Sequence, residues 1–408
     1  MAETTSPTGR AHRGVLAFLI FTVFIDAMGI GLIVPVFPQL LMELSGGGIT
    51  GAAYWGGVAT TIYAVMQFVF SPIVGALSDR FGRRPVLLVS LAAFSLDMVL
   101  LGSAWALWVF LLARTLSGVF AATVSTSNAY IADITPAEER ARRYGLLGAA
   151  FGAGFVLGPA LGGVLGELGT RTPFFAGAAF AALNCALGVA VLRESLPPER
   201  RRAFEWGRAN PFGTLARLLA SPRLGVLIAV YFFAALSTWV YPVIWSYVAV
   251  AKFDWSVAEI GASLAYYGVL SIISQGFLIG PVLERLSVVR ALAIALCFEF
   301  VGLIGLGLAP TTPIFYGFLT LSLVTSLQEP ALREILSAGV GDDEQGELQG
   351  GLASLGGIAA VAAPLLYTPV FHAFAERTEP IALAGAPFLV ASVFSLAALA
   401  LLGVHRSS

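Results

Sequence analysis

Twelve apolar runs, each about 20 residues long and set apart by short polar breaks, recur along the chain between Val15 and Val404. A helix rises about 1.5 Å per residue, so a run of that length crosses the roughly 30 Å hydrocarbon core of a bilayer. No water reaches the backbone there, and a helix satisfies its own N–H and C=O groups. The pattern predicts an all-α membrane protein with spans over 14-37, 54-77, 85-103, 106-131, 144-167, 173-193, 222-248, 259-283, 288-309, 312-337, 347-371 and 381-404. Only 12% of the 408 residues are charged, against about 25% in soluble domains. The first run carries Asp26, is longer than a signal-peptide core and lacks a small-residue cleavage site, so it is expected to stay as span 1.

The few charges are sorted. With the N-terminus in the cytoplasm, cytoplasmic segments hold nineteen of the 23 Lys+Arg, and the opposite loops hold only Arg171, Lys252 and Arg377. This is the positive-inside asymmetry, and it places both termini in the cytoplasm. The longest cytoplasmic segment, 194-221, is basic and divides the chain into six-span halves, 1-193 and 222-408. Topology accounts for that charge, with contact to membrane lipid as a further role and no nucleic-acid partner expected. The halves echo each other at an offset of 205 residues: Gly75, Asp79 and Arg80 match Gly280, Glu284 and Arg285, and Gly145 matches Gly350. Twelve spans in two pseudo-symmetric halves are a transporter architecture, with the substrate site near the membrane midplane.

Several chemistries find no support. Cys185 and Cys297 fall inside spans, where they serve as small apolar residues. His12, His372 and His405 are scattered, so no metal-ligand spacing exists. No G-x-x-x-x-G-K-[ST] phosphate loop occurs. The chain is therefore not expected to be an enzyme, to carry a cofactor or to hydrolyse ATP. One proton entering down about 100 mV supplies about 2.3 kcal/mol, enough for a solute gradient of somewhat under a hundredfold.

Charge inside the bilayer carries the functional signal. Asp26, Asp97, Arg114 and Glu299 lie within spans, away from loops. Each costs about 2.5 to 3.5 kcal/mol near the bilayer centre before pairing. Pairing with Arg114 and protonation of an acid relieve that cost, and an acid so placed can load and release a proton. Asp26 and Arg114 are expected to line a cavity, with Asp97 and Glu299 as proton carriers. Gln67, Asn128 and Gln275 are candidate substrate contacts, as are Gln328 and Glu329, and interhelical hydrogen bonding is an equal use for them. Trp55, Trp105, Trp108, Trp239, Trp245 and Trp255 fall near the non-cytoplasmic ends, as an interfacial belt does. Trp239, Tyr241 and Trp245 could also wall a pocket for an aromatic compound.

Two stretches suggest moving parts. GALSDRFGRRP, between spans 2 and 3, sets Asp79 among Arg80, Arg83 and Arg84 at a helix end, with Gly75 and Gly82 for close approach or a turn and Pro85 for the next first turn. Topology explains the arginines but not Asp79, so the turn reads as a latch made and broken as the halves rock. In span 5, Gly145, Gly154, Gly158, Pro159, Gly162 and Gly163 form a small-residue face with a weakened turn.

GALSDRFGRRP resembles the G-x-L-x-D-R-x-G-R-R signature of the major facilitator superfamily. Arg114 to Gly118 (RTLSG) resembles its R-x-x-x-G motif, and the span 5 glycines resemble the motif of its antiporter branch. FIDAMGIGLIVPVFPQLL, NAYIADITPAEERARRYG and GELQGGLASL look like tetracycline/proton antiporters. The resemblance covers most of the chain. It implies an exporter in the bacterial inner membrane that trades an amphipathic drug-like compound for entering protons; a monomer is expected. It gives similar roles to acids at Asp26, Asp97 and Glu299, the last a Glu where relatives carry Asp, and Gln275 matches. Ser271 stands where those antiporters carry a histidine. A symporter importing a metabolite would use the same acids, but the span 5 pattern resembles antiporters.

Asp26→Asn and Arg114→Ala should each reach the membrane folded yet fail to transport. Wild-type efflux at matched protein level in both would remove these residues from the mechanism.

Overall fold

Proline and hydroxyl residues decide where the helices of this chain are interrupted. The computed structural model describes residues 7–204, 224–341, 344–375 and 383–407, and all twelve spans are helical there. Among the described residues eleven helical stretches are long and apolar enough to cross a membrane. Span 10 is the exception in form: it runs as Thr312–Leu319, Ser322–Thr325 and Gln328–Ala338. Pro330 lacks an N–H and crowds the carbonyl of residue 326, while the hydroxyls of Thr320 and Ser326 bond back to Tyr316 and Ser322 at 2.8 Å. Both effects loosen a helix.

The interruptions repeat at the 205-residue offset. Span 1 ends at Ile33 and resumes at Phe37, and span 7 breaks at Trp239 between Gly225–Thr238 and Val240–Phe253. Span 4 breaks at Ala121 and Ala122 between Leu107–Phe120 and Thr123–Ile134, opposite the span 10 break at Ser326 and Leu327. Span 8 contains a π turn, Ser274–Leu278, just before Pro281; the matching part of span 2 holds Pro72. Pro159 of span 5 likewise matches Pro364 of span 11. The two repeats thus share their irregularities, which single residue matches only hint at.

The chain divides into two compact units, residues 1–36 with 66–210, and 37–65 with 211–408. The boundary falls inside the helix Ile49–Phe81, so the first part of span 2 packs with the second unit. There a methyl group at Gly56 would strike the Tyr247 hydroxyl, and one at Gly57 the Thr368 side chain. Most of the central segment 194–221, from residue 205 on, lies outside the described residues, as does Arg377. Leu96, Val164, Leu183, Phe277 and Val301 are exposed, the surface a bilayer covers.

In the first unit the tightest seam joins spans 1 and 5. A Cβ added at Gly154, Gly158 or Gly162 would collide with the carbonyl oxygen of Phe24, Met28 or Leu32 respectively. Both series step by four residues, so the two helices run side by side in register at backbone contact. From the other side, a Cβ at Gly31 would lie 2.6 Å from the Pro159 ring and 3.0 Å from Gly158 Cα. Gly163 is buried beside this seam, whereas Gly145 faces open space. The second unit is built otherwise: Tyr367, offset-equivalent to Gly162, is fully buried and donates its hydroxyl to the Leu236 carbonyl at 2.7 Å. Apolar side chains, among them Leu227, Ile228, Leu292, Leu332 and Leu352, fill its core.

Backbone cannot retreat as a side chain can, so Gly158→Val should lower stability by about 1–3 kcal/mol or more. Gly145→Ala should stay within about 0.5 kcal/mol of the wild type. Thermal unfolding of the purified protein in detergent checks both; equal midpoints for Gly158→Val and wild type would refute the seam.

Candidate functional site

Spans 3 and 4 bring two of the predicted intramembrane charges together. Asp97, on Arg83–Gly102 and 3% exposed, accepts from Ser117 Oγ at 2.5 Å and from Arg114 Nη2 at 3.5 Å. Arg114 Nη2 also donates to Ser117 Oγ at 2.9 Å, closing a triangle of charge-assisted bonds. Arg114 and Ser117 are three residues apart on Leu107–Phe120 and so share a face. Removing one partner of such a pair strands the other, a cost of about 3–5 kcal/mol. Asp26 lies on span 1, half-buried, with its carboxylate against the hydroxyl of Thr123. Thr123 opens the helix that follows the span 4 break, so Asp26 faces a helix N-terminus, where the dipole favours an anion.

The second unit repeats the plan with different chemistry. Glu299, on Val288–Leu308 and 2% exposed, accepts from Gln328 Nε2 at 3.3 Å and lies near the Thr325 hydroxyl. Spans 9 and 10 thus repeat spans 3 and 4: an acid on one, its partners on a broken neighbour. The difference is the cation. Asp97 has a guanidinium, and among the described residues no Lys or Arg forms an ion pair with Glu299. One acid has its charge compensated; the other depends on neutral donors.

The remaining candidates are dispersed. Trp245 is 2% exposed, packs against Tyr241, Phe315 and Phe388, and donates its indole N–H to Ser263 Oγ at 2.9 Å. Its place is the aromatic core of the second unit. Tyr241 is buried and stacks on Tyr267 at 5.5 Å, and Trp239 is half-buried at the span 7 break. Trp255 is also buried and bonds Thr312, while Trp105 and Trp108 are exposed and meet edge to face. Gln67 and Asn128 are half-buried, and Gln275 is exposed on the π turn.

Around GALSDRFGRRP the charges form a network within the first unit. Arg83 Nη1 pairs with Asp79 at 2.6 Å and reaches Ser78 Oγ at 3.1 Å, and its Nε donates to Asp133 Oδ2 at 3.1 Å. The Arg83 backbone N–H donates to Glu194 Oε1 at 2.8 Å. Gly82 has φ +109°, and the Glu194 carboxylate fills the space a side chain there would need, so two reasons converge on glycine. Arg84 donates to the Val189 carbonyl at 3.0 Å, Arg80 lies over the Phe81 ring, and Gly75 borders open space. Ser195 Oγ donates to Asp133, and the Arg202 N–H caps the Asp79 carbonyl at 3.1 Å. A polar cavity of about 450 Å³ remains between Asp79, Arg83, Asp133, Leu196, Arg200 and Arg202. Sequence reasoning singled out neither Asp133 nor Glu194. Each was an acid at a span end facing the arginine-rich turn, a signal visible but not specific; Ser117 and Thr123 had none beyond polarity within a span.

Comparison with known proteins agrees with this architecture. The chain matches the Major Facilitator Superfamily over residues 19–364. It is 37% identical to the class C tetracycline resistance protein of Escherichia coli, covering 91% of this chain and 93% of that protein. It is 30% identical to multidrug resistance protein 2 of Bacillus subtilis (strain 168), over 82% and 83% of the two chains. Its fold is similar to the crystal structure of the human organic anion transporter MFSD10 (TETRAN), with a TM-score of 0.70, 25% identity, and 96% and 99% of the chains covered. With the repeated twelve-span plan, the charged turn and a family match across most of its length, this chain belongs to the Major Facilitator Superfamily.

Proposed function

We propose that the chain is a proton-coupled exporter of amphipathic, drug-like compounds, tetracycline-like or broader, working by alternating access. The observation that carries this reading is the pair of buried acid clusters, Asp97 with Arg114 and Ser117, and Glu299 with Thr325 and Gln328. A structural scaffold has no use for four ionisable groups at this cost in an apolar interior. Resemblance to tetracycline and multidrug resistance proteins supports the substrate class. The protein acts as a multi-pass monomer of the bacterial inner membrane with cytoplasmic termini and no enzymatic activity, and residues 1-193 and 222-408 alternate as its halves.

Each part has a physical role in this reading. Glu299, served by neutral donors, takes up and releases the proton. Asp97 keeps Arg114 fixed, and that cation with Asp26 gives the N-terminal half a charged wall. Drug and proton then exchange because each state of the acid favours a different occupant, the differential affinity that coupling requires. Gln67, Asn128 and Gln275 contact the compound. The Asp79–Arg83–Asp133 network holds the cytoplasmic ends of spans 2, 3 and 4 together and must rearrange as the halves move. The proton gradient supplies the energy, and no bound cofactor takes part.

The test uses purified protein in liposomes with an acidic lumen and a pH-sensitive dye inside, with tetracycline and then other amphipathic drugs added outside. Antiport drives the compound in and protons out, so the lumen should turn alkaline faster than in protein-free liposomes, and Asp26→Asn should abolish the difference. No protein-dependent response to any compound would sink the antiport reading. Asp79→Asn and Asp133→Asn should slow turnover severalfold while drug affinity, followed by fluorescence titration, stays near wild type. Weakened affinity at normal turnover would remove the latch role.

A further inference from the structure

The stretch that leaves span 6 folds back over the ends of spans 2, 3 and 4 and encloses the polar cavity of about 450 Å³. Asp79, Arg83 and Asp133 line it from the three spans, and Leu196, Arg200 and Arg202 from the returning stretch. That stretch is fastened before and after its turn. Pro197 and Pro198 have fixed φ, the Arg200 N–H closes the turn on the Pro197 carbonyl at 3.0 Å, and Arg201 Nε reaches the Leu196 carbonyl at 3.5 Å. The Arg202 N–H then donates to the Asp79 carbonyl at 3.1 Å. The backbone that carries Arg200 and Arg202 is thus fixed at the rim of the cavity.

The charges around it are unevenly used. Arg83 lies between Asp79 at 2.6 Å and Asp133 at 3.1 Å, and Ser195 Oγ adds a bond to Asp133 at 3.0 Å, so both acids are already served. Arg200 and Arg202 are exposed, and among the described residues neither guanidinium forms an ion pair. Three cations against two anions leave the lining one positive charge in excess. Topology calls for arginines on this face. It does not call for two unpaired ones on a fixed backbone around a cavity of this size.

The occupant follows from this chemistry. A guanidinium presents a rigid fork of N–H donors that matches two oxygens of a phosphate. The volume falls in the range of small-molecule pockets and far exceeds a bare ion, so the phosphate carries an organic substituent. A monoanionic diester cancels the excess charge of the lining, whereas an added ammonium group would restore it. Where the substituent faces Asp79 and Asp133 it must donate, because ionised carboxylates only accept, and a hydroxyl donates without adding charge. We infer that this cavity binds a hydroxyl-bearing phosphate diester, with Arg200 and Arg202 on the phosphate and Asp79 and Asp133 on the hydroxyls. With the termini in the cytoplasm, as proposed above, the cavity lies level with the headgroups of the anionic inner leaflet, so a glycerol phospholipid is one source of that group and a soluble glycerophosphodiester the other.

The experiment follows thermal unfolding of the full purified chain in detergent, which reads binding whether or not the protein transports. Three probes are titrated at constant ionic strength: dioleoylphosphatidylglycerol, dioleoylphosphatidylcholine at matched mole fraction, and glycerophosphoglycerol, the headgroup of the first without acyl chains. The anionic lipid should raise the wild-type midpoint at a lower mole fraction than the choline lipid. Arg200→Gln/Arg202→Gln should raise the half-saturating amount by about tenfold or more, as the loss of two charge-assisted contacts implies. Its midpoint without probe should stay near wild type, because both side chains are exposed. Should the double variant unfold early, Arg200→Gln alone should still weaken binding severalfold. Arg290→Gln removes an exposed arginine of the second unit and should stay within about twofold of wild type. A response to glycerophosphoglycerol with the same arginine dependence would keep the site and show that the headgroup suffices without a lipid; a response to the anionic lipid alone would make the lipid its ligand. A shift equal for both lipids, or unchanged in the double variant, would show only the general lipid annulus and overturn the site, as would no response to any probe.

Discussion

A backbone in hydrocarbon must satisfy its own hydrogen bonds, and this constraint organises the molecule. Unbroken helix meets it everywhere, so every interruption within a span leaves amides and carbonyls that need other partners or a polar lining. The interruptions lie beside the buried polar groups of the candidate site. Thr123 opens the second half of span 4 and faces Asp26; Thr325 and Gln328 flank the span 10 break and hold Glu299; Gln275 lies on the π turn of span 8. The freed backbone and the buried polar side chains occupy the same places because one polar environment serves both. Their recurrence at one offset is the mark of an internal repeat, with one pattern of breaks in both halves.

On that shared frame the halves have diverged in ways with separate consequences. In the first, three glycines bring spans 1 and 5 to backbone contact, whereas the second carries Ala359, Ala363 and Tyr367 at the matching positions. A seam of carbonyls against glycine excludes water and side chains alike, so nothing polar can thread between spans 1 and 5 there. The acid clusters diverge in parallel. Arg114 compensates Asp97, while Gln328 can only solvate Glu299. The two clusters therefore differ in their partners: a cation beside the acid in one half, neutral donors alone in the other.

Much of this was legible in the sequence because membrane spans obey a strong rule. Apolar length located all twelve spans, and the offset in GALSDRFGRRP and its partner pointed to the repeat. Asp97 and Arg114 stood out because charge is rare in such a chain. What could not be read was partnership. Nothing in the spacing says that Asp97 rather than Asp26 meets Arg114 at 3.5 Å, that Ser117 completes the triangle, or that Asp133 and Glu194, 50 and 111 residues from Arg83, converge on it. Trp245 shows the opposite limit. Its position near a span end fits an interfacial aromatic, yet three rings and the Ser263 hydroxyl enclose it, and only tertiary packing decides between those environments.

The charged turn and the central segment act on each other through the backbone. Span 2 ends at Phe81, so the Asp79 carbonyl is among the last of its helix and has no partner within it. The N–H of Arg202 supplies one, and Leu196 is buried nearby, so the start of the connection between the halves is fastened to the end of span 2. Glu194 fastens the next helix as well, since one carboxylate oxygen receives the N–H groups of Arg83, Ser195 and Leu196. A change in the Asp79–Arg83 pair therefore alters the anchorage of the segment that leads to the second half. The turn thus serves as an anchor point for residues 194–202 as well as a cluster of charge.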